Sequence, residues 1–178
     1  MKKKLDYCKL ARQSIEYYLV NKKTLSSLQD VPSKLKTKQA GVFVSLHNNI
    51  NHDLQGCIGT FKPVMSCVAL EIIHNAVSAA FYDPRFLPLK QTELSNINIS
   101  VDVLGELEQV MDIKKLNPKK YGIFMQTPDN RKSALLLPLL DGVDTVDQQL
   151  EITAQKGYIN LQKEQIALYR FLVKRYTE

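Results

Sequence analysis

Between residues 63 and 81 the chain carries a helical pattern whose apolar face is too broad to be left in water, and this stretch constrains the fold most. Val64, Val68, Ile72, Ala76 and Ala80 recur at four-residue spacing, with Cys67, Ile73, Val77 and Phe81 beside them. Pro63 suits the first helical turn, because its φ is already fixed near the helical value and its missing N–H has no partner to lose there. Asp83-Pro84 ends the helix: the residue before a proline avoids helical geometry, and the proline itself donates nothing.

Strand patterns flank this helix. Gly41 opens Val42-Phe43-Val44-Ser45-Leu46, residues 47–53 supply a turn, and Leu54-Gln55-Gly56-Cys57-Ile58-Gly59-Thr60 returns as the second strand of a hairpin. Ile97, Ile99, Val101 and Val103 alternate with Asn98, Ser100 and Asp102, which predicts a strand with one covered face and one wet face. Before the hairpin, Leu5, Cys8, Ala11, Arg12, Ile15, Tyr18 and Leu19 form the stripe of a first helix, with Cys8 a small buried hydrophobe. The polar stretch from Lys22 to Lys38, which contains Pro32, reads as a loop.

In the later part of the chain, Tyr121 to Thr127 and Ser133 to Leu140 read as a hairpin joined by residues 128–132. Thr145-Val146-Asp147-Gln148 is a capping box opening a helix that Gly157 closes, and Asp144 fits helix-entry electrostatics. Residues 166–173 suit either a helix or a final strand by pattern alone. Hairpins and helices without regular strand-helix alternation predict an α+β fold: a largely antiparallel sheet with packed helices. No repeat or linker divides the chain, so residues 1–178 are expected to form a single domain, one that could carry two lobes with a cleft between them.

At 178 residues, 44% hydrophobic and 24% charged, the chain has the make-up of an ordinary globular domain, not a disordered or fibrous one. No apolar run approaches membrane-spanning length, and Cys8, Cys57 and Cys67 are odd in number and unpaired in spacing. A reduced, cytoplasmic setting without a membrane is the expectation. The net charge of +6 favours acidic partners, but its lysines are scattered over residues 2–4, 34–38 and 114–120. They read as a solvated basic surface in preference to a dedicated nucleic-acid face.

Cys57, set between Gly56 and Gly59, is the candidate nucleophile or ligand contact. Glycines remove Cβ bulk, so the backbone there can bend tightly or admit a ligand or a second chain segment. Arg85, stiffened by Pro84, is the candidate anion anchor, able to grip a carboxylate or phosphate through paired hydrogen bonds. Its structural alternative is an internal pair with Asp83. Arg131 at the later hairpin tip and Gln55 complete the candidate ligand-binding set with Gly56 and Gly59. A Cys57 dyad with His52 or His74 is geometrically conceivable. The set His52, Cys57, Cys67 and His74 matches neither structural-zinc spacing nor a helical two-histidine motif, so neither metal nor cofactor is expected. Phosphate loops, dinucleotide fingerprints, serine elbows and radical-generating three-cysteine motifs do not occur.

The segments Leu54 to Thr60, Asn75 to Phe86, Ile99 to Leu104, Ala134 to Pro138 and Gly142 to Leu150 together resemble the AMMECR domain family, and in particular its bacterial AmmeMemoRadiSam system protein A branch. The resemblance runs from the first helix to Tyr169-Arg170-Phe171 and favours a strand at 166–173, with Tyr169 and Phe171 on one face. It departs at Gln55, where the family usually has arginine, and at Ser133 and Ala134, where it tends to place glycine. Without that arginine one donor fork for an anion is lost. The resemblance implies an accessory or small-ligand-binding component working with Memo-like and radical-SAM partner proteins. The alternative it leaves open is a cysteine-dependent enzyme acting on an anionic or nucleobase-containing substrate, RNA modification included.

Overall fold

The computed structural model describes residues 7–26 and 28–178. The chain divides into two compact units: residues up to Leu104 together with Lys174–Glu178 form the first, and Gly105–Val173 form the second. Among the described residues the first has three α-helices and the second one, each unit carrying antiparallel strand pairs, so the α+β class is as the sequence predicts, realised as two four-stranded sheets instead of one.

The first unit is built on the predicted hairpin, β1 (Val42–Asn48) and β2 (Leu54–Thr60), paired antiparallel. β3 (Ile97–Leu104) pairs antiparallel with the other edge of β1, and β8 (Val173–Thr177) adds the fourth strand beside β3, giving the order β2-β1-β3-β8. Along β1, Val42, Val44 and Leu46 are fully buried while Phe43, Ser45 and His47 are only partly so. This period of two assigns the first set to the helix-covered face and the second to the opposite face.

The covering helices are α1 (Tyr7–Asn21), α2 (Ser33–Thr37) and α3 (Val68–Phe81). Ile15 of α1, Leu35 of α2 and Ile72 and Ile73 of α3 share one core with the β1 and β3 side chains. Each such fully buried aliphatic side chain contributes about 1.5–3 kcal/mol. Leu5 and Lys2 to Lys4 lie outside the described residues.

Three boundaries differ from the sequence reading. The main helix begins at Val68, not at Pro63. Residues 61–67 instead form bends held over its first turn by the buried Glu71 carboxylate, which accepts the N–H of Val64 at 3.0 Å, the N–H of Met65 at 2.8 Å and the Thr60 hydroxyl. The polar stretch 22–38 is not all loop: α2 forms because Leu35 is buried against the core. Asp102, expected on a wet face, is 2% exposed, because Arg175 of β8 covers and pairs it.

The second unit contains β4 (Glu108–Gln109), β5 (Gly122–Gln126), β6 (Ser133–Leu136), α4 (Val146–Lys156) and β7 (Ala167–Phe171). Its strand order is β4-β7-β5-β6, antiparallel throughout. Residues 167–171 are thus strand, as the family resemblance implies. The capping box is made: Thr145 accepts the Gln148 N–H at 3.2 Å, and the Gln148 side chain accepts the Thr145 N–H at 3.0 Å. Gly157 closes α4, yet the left-handed residue is Tyr158, at φ 53°. Gly157 serves packing instead: an added Cβ there would lie 3.1 Å from the Ala134 Cβ.

Candidate functional site

Cys57 sits in mid-β2, opposite Ser45 of β1, and Ser45 is in turn opposite Ser100 of β3. The three side chains therefore form a row across the face that the helices leave uncovered. Ser45 donates its hydroxyl proton to the Cys57 Sγ at 3.2 Å. Among the described residues no imidazole bonds this thiol. His74 is exposed on α3, His52 is exposed in the hairpin turn, and His47 is half-buried one row along from Ser45.

The flanking glycines are occupied by close neighbours. A Cβ on Gly56 would stand 2.1 Å from the Ala79 carbonyl oxygen of α3, so the bare backbone lets that helix rest directly on β2. A Cβ on Gly59 would meet the Phe43 ring at 2.2 Å, and the ring lies over the space a side chain would use. Of the two readings of a glycine here, close approach by a second chain segment accounts for both. Gln55 is exposed at the irregularity where the β1–β2 register shifts, between Leu46 and His47.

Arg85 is brought to Cys57 by the exit of α3. Its Nη2 donates to the Cys57 carbonyl at 2.9 Å, and its Nε and Nη2 grip the two oxygens of Asp83 at 3.0 and 2.8 Å. Asp83 also accepts the Cys57 backbone N–H at 2.9 Å and the Arg85 N–H at 3.1 Å. Its side chain is 1% exposed, against 57% for Arg85. The Arg85 guanidinium, aided by these two backbone donors, holds the Asp83 carboxyl far below the usual carboxylate range. The internal pair is thus formed, and the guanidinium that makes it also reaches the cysteine's own backbone.

On the same sheet, Arg175 clamps Asp102 through Nε at 2.8 Å and Nη2 at 2.7 Å, side-on. Burial, the positive charge of Arg175 and that of His52 all push His47 below the ordinary imidazole value. Arg131 belongs to the second unit: it is exposed at the tip between β5 and β6, beside Asp129 at 3.5 Å. Asp144 pairs with Lys119 there, and no group of three or more His, Cys, Asp or Glu among the described residues could hold a metal ion.

A family model described as AMMECR1 matches residues 8–176, almost the whole chain. The chain belongs to the AMMECR1 family. A Thermotoga maritima protein is 43% identical over 170 residues, spanning 96% of each chain. A Clostridium acetobutylicum protein is 43% identical over 173 residues, covering 97% of this chain but 36% of its own length. The crystal structure of the uncharacterized protein PH0010 from Pyrococcus horikoshii superimposes with a TM-score of 0.86 at 29% identity, over 98% of this chain and 91% of that one. The AMMECR1 assignment agrees with the resemblance carried by the Leu54–Thr60 segment.

Within this AMMECR1 domain, sequence reading brought Gly56, Cys57 and Arg85 to one place, but it did not single out Ser45, Ser100, Asp102 and Arg175. One signal for the last pair was present. Asp102 is the one charged residue in a strand whose other polar residues, Asn98 and Ser100, are neutral, and a carboxylate buried there needs a counter-charge, which the segment carrying Lys174 and Arg175 could offer.

Proposed function

We propose that this AMMECR1-family chain is an accessory, small-ligand-binding component of the AmmeMemoRadiSam system protein A branch, acting with Memo-like and radical-SAM partner proteins. The branch and the partners rest on the motif resemblance at residues 54–60, 75–86 and 142–150. The observation that carries the binding reading is the company Cys57 keeps. Its thiol is met by a neutral hydroxyl, and the guanidinium at its carbonyl is already committed to a buried carboxylate. An activated nucleophile calls instead for an unpaired cation, a helix N-terminus or a contacting base. A fixed thiol, a serine row and the outward edge of Arg85 suit the non-covalent holding of a small anion.

A second reading is a cysteine-dependent enzyme acting on an anionic or nucleobase-containing substrate, and the partial exposure of Cys57 favours it. Alkylation of the folded protein across pH, followed by peptide mass spectrometry with Cys8 and Cys67 as internal controls, separates the two. A Cys57 rate that follows an ordinary thiol supports binding; a rate already at its plateau below neutral pH supports the enzyme. Sedimentation of the chain mixed with purified Memo-like and radical-SAM proteins tests the partners. Failure of a faster-moving species to form with either removes that part of the reading.

A further inference from the structure

The uncovered face of the first sheet holds a cavity of about 260 Å³ lined by His47, His52, Asn98, Ser100, Arg175 and Thr177. It lies next to the Cys57–Ser45–Ser100 row and shares Ser100 with it, but neither Cys57 nor Arg85 lines it. We propose that this cavity binds the phosphate group of a small molecule. This inference is independent of any role for Cys57.

The lining chemistry points to an anion. Every polar side chain in it can donate a hydrogen bond: one guanidinium, two imidazoles, one amide and two hydroxyls. No carboxylate lines it. The nearby acids are engaged elsewhere: Asp102 is enclosed behind Arg175 with both oxygens bound, Glu178 is held by Arg12 and by the Ile99 N–H at 3.0 Å, and Asp53, which follows His52, accepts from the Asn51 side-chain amide at 2.5 Å. The Asp102 clamp uses Nε and Nη2 and fixes the plane of the guanidinium, leaving Nη1 without a partner among the described residues. A guanidinium fixed by a carboxylate behind it loses little further entropy when an anion arrives in front.

His52 enters the site from a left-handed backbone position, φ 62°, fixed by its N–H to the Asn48 carbonyl at 3.0 Å. A phosphate offers enough acceptor oxygens to meet the outward edge of Arg175, an imidazole N–H and a hydroxyl at once, which favours it over a two-oxygen carboxylate. The volume is below the roughly 300–1,000 Å³ of drug-sized sites, so it suits a phosphate with a short organic tail and not a nucleotide.

The test uses the full chain, with inorganic phosphate and glycerol phosphate as probes and sodium chloride and acetate as controls at equal ionic strength. NMR of the His47 and His52 ring protons provides the readout. Saturable shifts with either phosphate probe, at least tenfold tighter than with acetate, are expected. His52→Asn, which tolerates the same backbone conformation, should weaken phosphate at least fivefold without changing the melting temperature. The double variant Asp102→Asn with Arg175→Gln, which removes both charges together so that no carboxylate is stranded, should abolish saturation. Tighter binding of glycerol phosphate identifies a phosphomonoester as ligand, and equal binding identifies the free ion; both support the site. Shifts that chloride reproduces, or phosphate affinity unchanged in folded His52→Asn, overturn it.

Discussion

The Asp83 carboxylate accepts the Cys57 backbone N–H at 2.9 Å while Arg85 grips both of its oxygens, so the exit of α3 is tied to the middle of β2 by one buried acid. Asp83→Ala leaves two backbone donors without their acceptor and should cost about 1–3 kcal/mol in chemical denaturation. The sign with pH follows from the depressed carboxyl. The contribution is fully present above the unfolded value near 3.9 and is lost as pH falls through the folded one. Asp83→Asn should therefore flatten the loss of stability below about pH 4. An unchanged acid limb would show that the tie contributes nothing.

Gly56 and Gly59 should respond unequally to alanine. At Gly56 the obstacle is the Ala79 carbonyl of the α3 backbone, whereas at Gly59 it is the Phe43 ring, which can turn. Gly56→Ala is expected at or beyond the upper end of the roughly 1–3 kcal/mol usual for overpacking, and Gly59→Ala at the lower end. Equal melting temperatures for the two variants would contradict this ordering.

Glu71 accepts three donors from the segment before α3 and is fully buried. Glu71→Ala should destabilise by on the order of 3 kcal/mol, because three part-buried donors lose one charged acceptor. Hydrogen exchange of the Val64 and Met65 amides should speed up beyond what the global loss explains.

His47 gives the first unit a pH dependence near neutrality. Its proton is disfavoured in the folded state by burial and by Arg175, so the unfolded chain takes up that proton more readily. Stability should fall as pH drops below about 6.5, the ordinary histidine value, and His47→Gln should remove this slope. Thermal melts between pH 5 and 7.5 provide the check.

Cys57, partly exposed, should alkylate in the folded protein well before Cys8 and Cys67, which are 3% and 4% exposed. Peptide mapping of a time course settles the order. Comparable rates for all three would mean that labelling proceeds through global unfolding.

Periodicity carried far in this chain. The alternation in Val42–Leu46 and Ile97–Val103 and the long apolar face ending at Asp83-Pro84 were enough to place β1, β3 and the exit of α3. What periodicity lacks is any account of pairings between distant residues. The true start of α3 depends on Glu71 reaching back to Val64 and Met65, and α2 depends on a core site for Leu35. Asp102 reads as a wet-face residue until Arg175, 73 positions later, is laid beside it. The glycines around Cys57 were legible as a place of close approach, but the approaching groups, Ala79 and Phe43, become visible only with the sheet and helix assembled.

The order β2-β1-β3-β8 brings one more consequence, for synthesis. The strand that completes the first sheet and supplies Arg175 follows the whole second unit in sequence. On the ribosome the first 104 residues must wait through the translation of the 105–173 stretch with Asp102 lacking its counter-charge and one β3 edge unpaired. During that interval the nascent sheet offers an open edge to any other strand, the chemistry behind mispairing and aggregation. Slow translation of this gene, or cleavage just after Phe171, should therefore show up first as insolubility.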